Sequence, residues 1–268
     1  SSAASDVYKR QGYDSAGLAT LTDNIINEKK CSGRVEELEK ILFKTPSNGN
    51  IGIGHVRWAT HGIPSVVNAH PHSSEQVSVV HNGIIENSDE IKRELESKGI
   101  KFKSQTDTEV VTLLITEALK ENKPLESVFK TLKKLKGSFA LGIIFKNFSN
   151  IIIGARRGSP LAVGYSKEEN YIGSDSYALK SMTNKISYLD DGDLCVLTKD
   201  EVNFYDASLK KVNKKILTMT EKETSIVYSG REKKNIDFEN LVKKYNKDYS
   251  ITKIKKPSVF SLKSSNLR

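Results

Sequence analysis

From Ala16 onward the chain is punctuated into short apolar runs bounded by turn residues, and this restricts it to a fold rich in strands. The runs are Ala16 to Leu21, Ile51 to Val56, Val77 to His81, Phe139 to Phe145 and Ile151 to Ala155, followed by Leu161 to Tyr165, Tyr171 to Gly173, Ile186 to Leu189 and Leu194 to Leu197. Four other segments repeat their apolar residues at intervals of three and four, which predicts helices over Arg34 to Phe43, Asn87 to Lys98, Asp107 to Glu121 and Leu125 to Leu135. Thr106, with Glu109 three residues later, predicts a capping box at the start of the third. Helices gather in the first half and strands follow one another in the second. That order points to an α+β fold with antiparallel sheets covered by helices, and away from a βαβ repeat.

With 37% hydrophobic residues among 268, the chain can bury a sizeable core. No run of eighteen apolar residues occurs and the start has no signal-peptide pattern, so the expectation is a cytoplasmic protein without a membrane partner. Cys31 and Cys195 lie far apart without CxxC spacing, which argues against a disulfide framework or a structural zinc. The formal charge of +9 raises the possibility of nucleic-acid binding, but its distribution argues against it. Residues 1–206 hold 26 basic and 27 acidic side chains, a net of −1, whereas residues 207–268 hold 16 and 6, a net of +10. The main body is therefore not a basic surface.

The five histidines, His55, His61, His70, His72 and His81, fall within 27 residues. His70-Pro71-His72 could be a pair of metal ligands, yet Pro71 disfavours a regular strand and no cysteine joins the cluster, so no metal is expected. Around the histidines, polar groups follow strand ends three times: Arg57-Trp58-Ala59-Thr60-His61-Gly62, Asn68-Ala69-His70 and Asn82-Gly83. An arginine offers a fork for a carboxylate. An asparagine amide beside an unhindered backbone N–H offers two donors to a developing oxyanion, although Asn-Gly is equally the signature of a hairpin turn.

Taken as a set, these motifs resemble the class II glutamine amidotransferases, and within them the glutaminase domains of glucosamine-6-phosphate synthases. The resemblance spans about Gly12 to Thr220 and includes Gly12-Tyr13-Asp14-Ser15-Ala16-Gly17, the Arg57 and Asn82 stretches and Thr106-Asp107-Thr108-Glu109. It continues through Gly137-Ser138-Phe139-Ala140, Arg157-Gly158-Ser159-Pro160-Leu161, Ser174-Asp175 and Leu189-Asp190-Asp191-Gly192-Asp193. It implies an N-terminal-nucleophile hydrolase fold, a four-layer αββα sandwich. By position, Arg57 resembles the residue that grips the glutamine α-carboxylate and Asp107 the one that pairs with its α-ammonium. Thr60 and His61 resemble residues lining the same pocket, Asn82 and Gly83 the oxyanion hole, and Trp58 the gate of an ammonia route. No cofactor is implied. Trp58 could instead be core, Asp107 could serve its helix N-terminus, and His55, His70, His72 and His81 fit hydrogen-bonded structural roles better than catalytic ones.

The resemblance also implies a nucleophilic N-terminal cysteine with its free α-amine, and this sequence has no cysteine before Cys31. Residues 1–11 lack strand or helix periodicity, so they read as a non-native leader, residues 12–222 as an N-terminally incomplete amidotransferase domain and residues 223–268 as a basic tail. The expected parent enzyme takes glutamine and fructose 6-phosphate, the latter through isomerase domains not included here. It would form glucosamine 6-phosphate on the way to UDP-N-acetylglucosamine and act as a homo-oligomer. A chain without that cysteine is expected not to hydrolyse glutamine. An amidophosphoribosyltransferase-like enzyme and a non-catalytic glutamine-binding module are the alternatives.

Overall fold

A computed structural model describes residues 14–57 and 62–219. The leader, the tail and three of the expected site residues, Trp58, Thr60 and His61, lie outside them. Strands β1 (Ser15–Thr22) and β2 (Ile25–Ser32) form a hairpin in register Thr22↔Ile25. The two residues between them, Asp23 and Asn24, both take positive φ, which matches the twist that two-residue hairpin loops need. On its other side β1 pairs antiparallel with β3 (Ile51–Arg57), giving a three-stranded sheet ordered β2-β1-β3.

A second, seven-stranded sheet is assembled from β4 (His72–Ser73), β5 (Val77–Ile85), β6 (Gly137–Phe145), β7 (Ile152–Arg157), β11 (Leu194–Leu197), β12 (Val202–Tyr205) and β13 (Lys211–Val212), ordered β13-β12-β11-β7-β6-β5-β4. A third holds β8 (Ala162–Tyr165), β9 (Asn170–Gly173), β10 (Lys185–Tyr188) and β14 (Leu217–Thr218), ordered β14-β10-β8-β9. All pairings are antiparallel. The helices are α1 (Val35–Lys44), α2 (Ser88–Ser97), α3 (Thr108–Ala118), α4 (Pro124–Lys134) and the single turn α5 (Ser176–Leu179).

The period of two along each strand sorts the side chains into layers. On β6, Phe139, Leu141, Ile143 and Phe145 pack with α2, α3 and α4, through Leu95, Val111, Ile115 and Val128. Ala140 and Ile144 face the other way and join Ala19, Ile51 and Ile53 of the three-stranded sheet and Val163 and Ile172 of the four-stranded one. The two smaller sheets thus share one face of the seven-stranded sheet. Ala16, Cys31 and Leu38 close the fourth layer, where α1 covers the outside of the three-stranded sheet. This is the αββα sandwich that the resemblance implies, and it agrees with the α+β reading of the element order.

The nine apolar runs became strands and the four periodic segments became helices, with ends displaced by a few residues. Two local expectations fail. Asn82-Gly83 is not a hairpin turn: both residues lie inside β5, paired with Ala140 and Phe139 of β6. The capping box does not form either. Asp107 stands at the N-cap of α3 without a side-chain cap bond, while the Glu109 carboxylate accepts from the Lys103 and Ser104 backbone N–H groups at 2.8 and 2.6 Å. Among the described residues no helix is long and apolar enough to cross a membrane.

Candidate active site

The strand period also places the site. Asn82 lies on the same face of β5 as Val80, whose side chain is in the inter-sheet core, and His55 and Arg57 continue the face of β3 begun by Ile51 and Ile53. Asn82 therefore meets β3 across the gap between sheets, where His55 Nε2 lies 2.8 Å from Asn82 Oδ1. His81, on the opposite face of β5, meets α3 instead, with Nδ1 2.9 Å from the Thr108 hydroxyl.

Gly83 takes φ +129°, and a Cβ there would sit 2.0 Å from the Ser138 carbonyl oxygen. Strand β6 passes so close that only glycine fits, so packing alone requires this residue and leaves its backbone unhindered. Two residues on, the Ile85 N–H donates to Asp107 Oδ2 at 2.8 Å. This bond ties the start of α3 to the strand that carries Asn82.

Arg57, at the end of β3, is 4% exposed. Its Nη1 is 3.5 Å from Asp14 Oδ1 and its Nη2 donates to the Gly62 carbonyl at 3.3 Å. From Gly62 the chain returns toward Asp107 through Asn68, whose amide nitrogen donates to Ile63 O at 2.9 Å and whose Oδ1 accepts from Gln105 N at 2.9 Å. Arg57, Asn82, Gly83 and Asp107 are thus joined by short bonded paths around one end of β3 and β5. The sequence reading missed Asp14 as the carboxylate beside Arg57, and Asn68 as the strut. Asp14 was visible inside the quoted Gly12 to Gly17 motif; its pairing across 43 residues was not.

Three buried histidines back the Asn82 side. The His55 and His70 rings stack at 4.4 Å with 26° between planes, and His70 meets the edge of His72 at 5.0 Å. His72 Nε2 is 2.9 Å from the Thr106 hydroxyl. Burial, the dominant influence, pushes the His55 pKa down to about 4 and that of His72 to about 3, and holds His70 well below its ordinary value. All three are neutral near pH 7. The described His, Cys, Asp and Glu residues form no group suited to a metal ion.

Neither cysteine is placed as a nucleophile. Cys31 is buried on β2 and donates to Ala16 O at 3.6 Å, and burial raises its pKa. Cys195 sits in the inter-sheet core, where burial raises its thiol to about 12.

Residues 57–181 match the family described as "Glutamine amidotransferase domain". By this match the chain resembles the glutamine amidotransferases over nearly half of its length. It is 49% identical over 208 residues to a glutamine–fructose-6-phosphate aminotransferase (isomerizing) of Zymomonas mobilis, covering 77% of this chain and 34% of that protein. With the protein of the same name from Bradyrhizobium diazoefficiens the identity is 51% over 197 residues, or 73% and 32% of the two chains. The chain spans about a third of the length of these relatives. Among solved structures it resembles the glutamine phosphoribosylpyrophosphate amidotransferase of B. subtilis, with TM-score 0.63 and 24% identity over 77% of this chain and 46% of that one. It also resembles a glutamine aminotransferase class-II domain protein of Silicibacter pomeroyi, with TM-score 0.53 and 13% identity over 72% and 91%. At these identities the structures speak for the fold alone, the layered arrangement of helices and antiparallel sheets described above.

Other motifs singled out in the sequence have structural roles in the fold. Arg157 donates to the Leu135 and Leu132 carbonyls at the end of α4, Asp191 accepts from Gly158 N, and Asp175 caps α5 by accepting from Ala178 N at 2.8 Å.

Proposed function

We propose that this domain is the glutamine-binding, ammonia-releasing part of a glutamine–fructose-6-phosphate aminotransferase, a cytoplasmic homo-oligomeric enzyme that forms glucosamine 6-phosphate. The observation that carries the reading is the placement of Asn82 and Gly83 inside β5. There an amide nitrogen and a backbone N–H with no bulky side chain stand across the gap between sheets from β3, the strand that ends in Arg57. In this reading both donors stabilise the oxyanion formed when the glutamine carboxamide is attacked. Arg57 binds the α-carboxylate and Asp107 the α-ammonium, with Thr60 and His61 lining the pocket and Trp58 gating the departing ammonia. High identity to the two aminotransferases favours this enzyme over an amidophosphoribosyltransferase.

The attacking thiolate in this reading belongs to an N-terminal cysteine, because Cys31 and Cys195 are buried and hard to ionise. The chain as it stands is accordingly expected to bind L-glutamine without releasing ammonia. Titration calorimetry should give heat of binding that Arg57→Ala abolishes while circular dichroism still reports a folded chain. Steady ammonia release by the purified chain, or binding that survives Arg57→Ala unchanged, would remove this reading.

A further inference from the structure

The Asn82 side chain has two faces, and they are not interchangeable. If its carbonyl oxygen is held by the protein, its NH2 is left for a ligand; if its NH2 is held, the carbonyl oxygen is left instead and would repel a developing oxyanion. Here Oδ1 is the atom engaged, 2.8 Å from His55 Nε2, and Nδ2 has no acceptor among the described residues. A neutral imidazole donates from one nitrogen only, so His55 can hold that oxygen only as the Nε2–H tautomer.

The ring is well fixed for this task. Its stacking partner His70 accepts the His81 N–H at Nδ1, 3.3 Å away, which leaves His70 protonated at Nε2 and donating to the Thr108 hydroxyl at 3.3 Å. The Thr108 hydroxyl proton is then free to point to His81 Nδ1 at 2.9 Å. His81, Thr108 and His70 close a ring of bonds between β5 and the first residue of α3, and His55 rests on its flat side at 4.4 Å. Burial, helped by the charges of His81 and Arg57, outweighs the bonds to Asn82 and the His81 backbone that favour the protonated ring, and keeps His55 from becoming a two-nitrogen donor.

We propose that His55 is a positioning residue for Asn82: its Nε2–H holds the side-chain carbonyl and so aims the amide nitrogen at the reacting carbonyl of an amide substrate. The inference rests on the reading of Asn82 as an oxyanion donor, and it assigns the specificity of that donor to a residue that touches no substrate. A histidine present merely to satisfy a buried polar neighbour would serve in either tautomer.

The test is ring-nitrogen NMR on the 15N-labelled chain at pH 7, with His55 signals identified by their loss in His55→Gln. The expected result is a ring protonated at Nε2 and not at Nδ1. In parallel, 15N relaxation of the Asn82 side-chain amide should show an ordered NH2 in the unsubstituted chain. That order should persist in His55→Gln, which can still donate, and be lost in His55→Leu. An Nδ1–H tautomer, or an amide equally ordered in a folded His55→Leu chain, overturns the proposal. If His55→Leu fails to fold, the tautomer of the unsubstituted chain decides. Failure of glutamine to bind counts against the proposed function alone, since both signals are read without ligand.

Discussion

Asp107 shows how far residue type alone can mislead about a bond. An aspartate beside a helix start suggests a cap, yet its carboxylate reaches β5 and accepts the Ile85 N–H at 2.8 Å. Asp107→Ala would leave that buried donor without a partner and should cost about 1–3 kcal/mol in urea unfolding. Asp107→Asn keeps an oxygen for Ile85 and should cost less, but it removes the charge proposed to meet the α-ammonium. Charged hydrogen bonds contribute about 1.5–3 kcal/mol, so Asn at this position should weaken glutamine binding by roughly tenfold or more. An Asn variant that binds glutamine normally would separate Asp107 from the ligand. Arg57, Asn82 and Gly83 could be singled out from the sequence because their chemistry suits an amino acid amide, and Asp107 only through the family resemblance. His55, Thr108 and Asn68 could not be connected to them, since those contacts bridge 27 to 38 residues and depend on which face of a strand each side chain takes.

At the level of elements, the strands that show in the sequence are those with apolar faces. Strand β6 is buried on both sides and reads as a continuous apolar run. Strand β2 escaped notice because it lies at the edge of its sheet and is largely polar, Ile25-Ile26-Asn27-Glu28-Lys29-Lys30-Cys31-Ser32, a composition that discourages edge-to-edge pairing. The two-residue Asp23-Asn24 loop before it carries no glycine to advertise the turn. Strand β12 was missed because Asn203 interrupts its apolar run, and α5 because a single turn shows no helical period. Strand β1 carries its own constraint: a Cβ on Gly17 would lie 2.3 Å from the His70 carbonyl and 2.7 Å from Lys30 Cγ. Gly17→Ala should therefore lift the His70 segment off β1 at a cost of about 1–3 kcal/mol. The melting temperature should fall by roughly 2–4 °C for each kcal/mol. An unchanged melting temperature would mean that segment does not cross β1 so closely.

For the molecule as a whole, the antiparallel sheets and their helical cover follow from the order of apolar runs, whereas the pH response follows from three histidines that the fold keeps neutral. In the unfolded chain each histidine titrates near pH 6.5. His55 titrates near 4 when folded and His72 near 3. Above pH 6.5 neither state holds the proton, and the native state has its full stability. As pH falls toward 4, the unfolded chain takes up protons that the folded chain refuses, so stability declines. His55 alone accounts for on the order of 3 kcal/mol of that decline, a large share of the 5–15 kcal/mol typical of a native protein. Melting midpoints should drop steadily from pH 6.5 to 4, and a flat profile over that range would refute the burial of neutral rings.

The layer opposite the seven-stranded sheet is divided, with β3 and β9 the last strands of their sheets among the described residues. Between them a cavity of about 650 Å³ runs from Ile51 at the start of β3 to Asn170 at the start of β9, floored by Ile152 and Leu197. No backbone ladder crosses that seam in the described chain. Among the described residues the two plates share one side-chain core and no main-chain ladder, so a force that parts them there works against packing, and the sandwich would open like a book hinged on its unbroken cover.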